Sequence, residues 1–168
     1  MHYFLIAGEA SGDLHGSHLI EQLRSNDPDA VVTFLGGDMM AAAAGIDPVI
    51  HYSRMAFMGF TEVIKNLGKV TENLRKAKDA LRISQPDALI LIDYPSFNLK
   101  MAATAKKLGI PVYYYISPKI WAWKKWRIAD IRKNVRLVLS ILPFEPAFYK
   151  ENGFGAVYVG NPSVEEVD

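Results

Sequence analysis

Two carboxylates and one tryptophan-rich basic run are the residues of this chain best suited to chemistry. Glu9 lies in Gly8-Glu-Ala-Ser-Gly-Asp13 and Asp93 opens Asp93-Tyr-Pro-Ser-Phe-Asn98, each just after a short apolar run. A carboxylate at the end of a buried strand is partly desolvated, which raises its pKa toward the range a general base needs. The competing reading for Asp93 is an aspartate that binds the backbone of its own turn. Glu9 has no obvious structural task, and a substrate role weighs about as much as a bland one. Ser11 suits the N-cap of a following helix. Asn98 suits a helix start or a ligand for a sugar hydroxyl.

The three tryptophans, Trp121, Trp123 and Trp126, fall within six residues, beside Lys119, Lys124, Lys125 and Arg127. Tryptophan joins a broad apolar face to one polar N–H, and the neighbouring cations suit phosphate or an anionic membrane. Together they point to a ligand both anionic and greasy. Against this stands ordinary packing, with the rings on a sheet and the lysines coating a helix. Four large apolar side chains around Gly59, from Met55 to Phe60, read first as core and second as a wall for an acyl chain.

Several chemistries are excluded. There is no cysteine, so no disulfide, thiolate metal site or cysteine nucleophile exists. His2, His15, His18 and His51 show no metal-ligand spacing. The first glycine turn is neither a P-loop nor a Gly-x-Gly-x-x-Gly fingerprint, so a dinucleotide site is weakly supported. Net charge is +1 over 168 residues. Residues 119–136 carry seven basic side chains against the single acid Asp130, so the remainder is acidic. That distribution argues against nucleic acid and for one local basic site. No stretch reaches the roughly 18 apolar residues of a membrane span, and the apolar start reads as a strand, which makes a cytoplasmic protein the default.

These residues need a scaffold, and the hydrophobic pattern supplies one. Apolar runs at 3–7, 31–35, 88–92, 112–116, 137–142 and 156–159 read as strands, with a short candidate at 48–50. Helices are expected over 13–25, 39–44, 97–108, 123–134 and 145–151. Val63, Leu67, Val70, Leu74, Ala77 and Leu81 form one helical stripe that should pack on a sheet. Strands alternating with helices imply an α/β fold, a Rossmann-like parallel sheet with helices on both faces. The turns containing Glu9, Asp93, Ser117 and Asn161 should then meet on one sheet edge.

Taken in order, seven segments resemble the signatures of bacterial lipid-A-disaccharide synthase: residues 7–13, Gly36-Gly-Asp-Met39, 58–63, 92–98, Ser117-Pro-Lys-Ile-Trp-Ala-Trp123, 143–149 and Tyr158-Val-Gly-Asn-Pro162. The resemblance implies the N-terminal domain of a GT-B glycosyltransferase, with an acceptor-side domain over 1–162 and 163–168 starting the connection to an absent C-terminal domain. It implies transfer of 2,3-diacylglucosamine from its UDP derivative to 2,3-diacylglucosamine 1-phosphate, with inversion and without cofactor or metal. UDP would be held mostly by the other half, so the chain alone is expected to be inactive. Asp93 is the implied base, with Glu9 as alternative. Ser11, Met58, Gly59, Glu62, Asn98, Ser117, Trp121, Trp123, Lys119, Lys124, Arg127 and Asn161 are the implied substrate-binding residues. The partners would be both lipid substrates and an anionic membrane surface on the cytoplasmic side, without nucleic acid; a homo-oligomer stays open. Two departures matter. Ser96 stands where the family turn has a second acid, and Asn161 where it has a histidine. A rival Rossmann-type nucleotide-sugar enzyme and a non-catalytic membrane-binding module are the alternatives.

Overall fold

The computed structural model describes residues 1–55, 64–117 and 127–160. Six strands form one fully parallel sheet: β1 (His2–Ala7), β2 (Val31–Leu35), β3 (Ala88–Ile92), β4 (Val112–Tyr115), β5 (Leu137–Ser140) and β6 (Ala156–Tyr158), in the spatial order β2-β1-β3-β4-β5-β6. The strand register runs Leu5 beside Phe34 on one flank and beside Ile90 on the other. All five residues of β3 are buried, as expected of a central strand covered on both faces.

Period-two alternation divides these strands between two cores. Leu5, Ala7, Phe34, Ile90 and Ile92 share one with Ile20 of α1 (Ala10–Asn26) and Met40 of α2 (Asp38–Ala44). Phe4, Ile6, Leu89 and Leu91 share the other with Leu81 of α3 (Leu67–Ser84) and Met101 of α4 (Pro95–Lys107). Ile131 of α5 (Arg127–Asn134) and Tyr149 of α6 (Glu145–Glu151) join this second core. Among the described residues no helix is long and apolar enough to cross a membrane.

The alternating pattern expected from sequence is present, with three local differences. Residues 48–50 form no strand; Gly36 instead makes an isolated parallel bridge with His51, beside a short 3-10 turn at Tyr52–Arg54. Among its described residues the stripe on α3 packs on the core from Leu74 onward, since Ala77 and Leu81 are buried whereas Leu67 is 55% exposed; Val63 lies outside the described residues. Helix α1 starts at Ala10, so Glu9 and not Ser11 occupies the N-cap. The packing of α1 on α2 also requires Gly16, where a Cβ would lie 2.7 Å from Met40 Sδ.

Candidate functional site

The chain passes from β1 outward to β2 and then returns to the other side of β1 for β3. Loops leaving β1 and β3 therefore diverge, and the crevice beyond their carboxyl ends is where open α/β sheets hold ligands. Glu9 and Asp93 both stand there, one after each strand.

The Asp93 turn has an unusual backbone. Asp93 and Tyr94 both have positive φ, 45° and 51°, in the left-handed region that side-chain-bearing residues seldom occupy. Such a turn persists when its surroundings over-determine it, and three contacts do so. The Asp93 carbonyl accepts from Asn98 Nδ2 at 2.7 Å and from the Tyr114 hydroxyl at 2.7 Å. The Asp93 N–H donates to Ile116 O at 3.0 Å, which joins the turn to the end of β4. Pro95 sits in the first turn of α4, where its lack of an N–H costs nothing. Asn98 and Tyr114 are both fully buried. Burial, with the Asp93 charge second, pushes the Tyr114 hydroxyl well above the ordinary tyrosine range, so it stays a donor.

Tyr94 closes the crevice from the other side. Its ring lies on Gly8: a Cβ there would come 2.4 Å from the ring. Its hydroxyl donates to Met55 O at 2.8 Å. Burial, and secondarily the nearby Glu9 carboxylate, raises its pKa. Glu9 is exposed, with extended backbone, and accepts from Ser11 Oγ at 3.0 Å. The glycine is thus required by the close approach of an aromatic ring, and that ring fixes the floor between the two acids.

The remaining expected residues divide in three ways. Asn98 lies under the Asp93 turn, where its amide also reaches Ile92 O at 3.4 Å. Ser117 is buried and accepts from the Tyr149 hydroxyl at 3.0 Å. Both therefore support the sheet edge from below. Arg127 is 93% buried and donates from Nη2 to Ser96 Oγ at 3.2 Å, so the serine at the family's acid position receives a guanidinium. Met55 belongs to the core, the first of the two readings of the run from Met55 to Phe60, and residues 56–60 lie outside the described residues. Met58, Gly59, Glu62, Lys119, Trp121, Trp123, Lys124 and Asn161 lie outside the described residues, as does Trp126.

Sequence reading missed two buried acids. Asp13 accepts from the backbone N–H groups of Gly37 at 2.7 Å, Met39 at 3.1 Å and Met40 at 3.1 Å, capping α2 from the neighbouring helix. Glu145 is buried in the first turn of α6 and accepts from Ser140 Oγ at the end of β5. The signal for Asp13 was its helical face: it stands three residues before Gly16 and seven before Ile20, which pack inward. Beyond the crevice, His51 Nε2 meets Asp38 Oδ1 at 3.1 Å on an exposed flank.

Comparison with known proteins agrees with this architecture. UDP-GlcNAc 2-epimerase from Neisseria meningitidis superposes with a TM-score of 0.66 at 11% identity, over 96% of this chain and 46% of that one. MurG from Acinetobacter baumannii gives 0.55 at 15% identity, over 95% and 44%. At such identities the likeness is one of fold. Sequence relationship is closer elsewhere. Lipid-A-disaccharide synthase from Myxococcus xanthus is 43% identical over 164 residues, and that from Nitrosococcus oceani 42% over 163. In each case 97% of this chain is matched, and it spans 42% of the relative's length. The family profile for lipid-A-disaccharide synthetase matches residues 3–168, and the chain belongs to that family.

Proposed function

We propose that this chain is the acceptor-side half of an inverting glycosyltransferase, with Asp93 as the base. The full protein would move 2,3-diacylglucosamine from its UDP derivative to 2,3-diacylglucosamine 1-phosphate. The acceptor 6-hydroxyl attacks the donor's anomeric carbon, the bond from that carbon to the UDP oxygen breaks, and the hydroxyl proton passes to Asp93. One base and one displacement give inversion. Residues from 163 onward would lead into a second Rossmann-like domain holding UDP. Glu9, on the far side of Tyr94, is the acceptor-positioning acid or the alternative base.

The observation that carries this reading is the Asp93 turn. Its backbone is held in an uncommon conformation by two buried donors, at the point of the sheet where ligands bind. Fixing a base in this way lowers the entropic and reorganisation cost of reaching the transition state. The substrates' acyl chains and the basic run at 119–127 support work at the inner face of the cytoplasmic membrane.

Incubating the full-length protein with both substrates should yield the tetraacyl disaccharide 1-phosphate with a β-1′,6 linkage, together with one UDP per product. Epimerised UDP-sugar without disaccharide would instead support the nucleotide-sugar rival. The chain of 168 residues should give no turnover, because it forms one wall of the cleft.

A further inference from the structure

A second concavity opens beside the crevice, lined by Ser53, Arg54, Lys69, Glu72, Asn73 and Lys76, with a volume of about 470 Å³. Helix α3 leads into the parallel strand β3, so as a crossover it runs against the strands and its first half lies at their carboxyl edge. Residues 69, 72, 73 and 76 recur at helical spacing on one face of that half. Arg54 comes from a different element. Its carbonyl accepts from Asn73 Nδ2 at 2.9 Å, and the next carbonyl, Met55 O, accepts from the Tyr94 hydroxyl at 2.8 Å. Two consecutive peptide groups thus tie the cleft to the floor of the candidate site.

The lining has three cations and one acid. Glu72 is engaged with Lys76 at 3.4 Å, whereas Arg54 and Lys69 form no ion pair among the described residues. A solvated helix face accounts for isolated lysines. It does not account for an arginine from a separate turn facing them across a concavity. A second basic groove, of about 390 Å³, contains Lys106, Arg132, Lys133 and Arg136 at the amino edge of the sheet. Those cations sit at the carboxyl ends of α4 and α5, where they complement helix carbonyls. The cleft around Arg54 borders only the three-residue 3-10 turn that ends at Arg54, and Lys69 and Lys76 lie away from the carboxyl end of α3.

We propose that Arg54, Lys69 and Lys76 form a binding site for a phosphomonoester. Arginine offers paired donors to phosphate oxygens and the lysines add point charges. Ile64 and Leu67, 51% and 55% exposed, stand at the same end of α3, so the ligand class is a phosphorylated amphiphile. In assigning the anion to the acceptor sugar's 1-phosphate, this inference rests on the reading above.

The test is an NMR titration of the protein with glucosamine 1-phosphate. Saturable shifts of amides around 53–55 and 69–76 are expected, with none from glucosamine. R54A/K69A should weaken binding at least tenfold while keeping the wild-type unfolding temperature, and R132A/R136A should leave binding unchanged. Equal weakening by both pairs would reduce the effect to net charge and overturn the site, as would shifts confined elsewhere. Vesicles of phosphatidylcholine with phosphatidylglycerol separate the two sources of phosphate. If R54A/K69A loses vesicle binding but retains glucosamine 1-phosphate, the cleft is a headgroup surface and the proposal fails. Intact shifts in a protein that does not transfer sugar would remove only the acceptor identity; normal transfer without shifts would remove the site.

Discussion

Two aspartates, Asp13 in the first turn of the helix after β1 and Asp93 directly after the neighbouring strand β3, are held in opposite ways. Asp13 is 97% buried and its carboxylate holds three backbone N–H groups at the start of α2. At Asp93 the backbone carbonyl is held instead, by Asn98 and Tyr114, and the residue is only partly buried. In the first case the acid is the support; in the second the acid is what is supported. The Asp13 carboxylate thus has a structural task, holding donors that would otherwise be unsatisfied at a buried helix start. Asp93, the proposed base, instead has its main chain fixed at the sheet edge where open α/β sheets hold ligands. Position after a strand therefore does not by itself separate a structural acid such as Asp13 from the proposed base.

The largest effect should come from Asp93 itself. Asp93→Asn in the full-length enzyme keeps the size of the side chain and removes the base, so transfer should fall by about 10²–10⁴-fold. Its urea unfolding midpoint should change little, because the turn is held through the main chain. Turnover near the wild-type rate would transfer the role to Glu9 and cancel the contrast. Asp13→Ala should show the reverse. Three N–H groups lose a charged acceptor at a buried helix start, for a loss of about 3 kcal/mol in unfolding free energy, read by urea denaturation. A stability loss at Asp93 matching that at Asp13 would make both acids structural.

Asn98→Ala is the intermediate case and sharpens the comparison. Removing the amide leaves the Asp93 carbonyl with Tyr114 alone, and the left-handed backbone loses one of its two side-chain restraints. The expected cost is about 1–2 kcal/mol in stability, with a fall in kcat at unchanged KM for the donor. Restoring kcat in Asn98→Asp is not expected, since a second acid beneath Asp93 offers no donor when ionised. A variant that loses stability but retains kcat would show Asn98 to be a packing residue without influence on the base.

Much of this was legible in the sequence because it follows from local pattern. The strands at 31–35 and 88–92 have the bounds their apolar runs predict, and α6 spans the expected 145–151. Parallel topology followed from the alternation of strands and helices, and with it the meeting of Glu9, Asp93 and Ser117 on one edge. Contacts between distant segments left no such trace. Asp13 meets Gly37 across 24 residues, and Tyr114 meets the Asp93 carbonyl across 21. Each depends on how two elements pack. The start of α1 was misplaced for a related reason. Its apolar period begins at Leu14, whereas the first turn is formed by small residues, with Gly12 so near β1 that a Cβ added there would lie 3.2 Å from Ala7 Cβ. Ser11 has the chemistry of a cap, but close packing of Gly12 on β1 sets the helix one turn earlier.

The smallest expected effect concerns the layer beneath the site and separates it from the crevice by pH. Tyr149 is fully buried, and its hydroxyl donates to Ser117 at the end of β4. Burial raises its pKa from 10.0 to about 12, the Glu145 charge adds to this, and the bond with Ser117 acts in the opposite direction. Tyr114 is raised in the same direction. A folded-state pKa above the unfolded value means that the stabilisation is complete below pH 10. It is then lost as pH rises from about 10 toward about 12, because only the unfolded chain releases the proton readily. The slope for one such group is about 1.4 kcal/mol per pH unit. Urea midpoints should accordingly be flat up to about pH 9.5 and fall above it, and Tyr149→Phe should reduce that slope without abolishing it, since Tyr114 remains. An unchanged slope in Tyr149→Phe would mean that its phenol ionises without disturbing the fold. Ser117 would then be held by something other than this hydroxyl, and the support for the β4 end would have to be sought in the Asp93–Ile116 backbone contact.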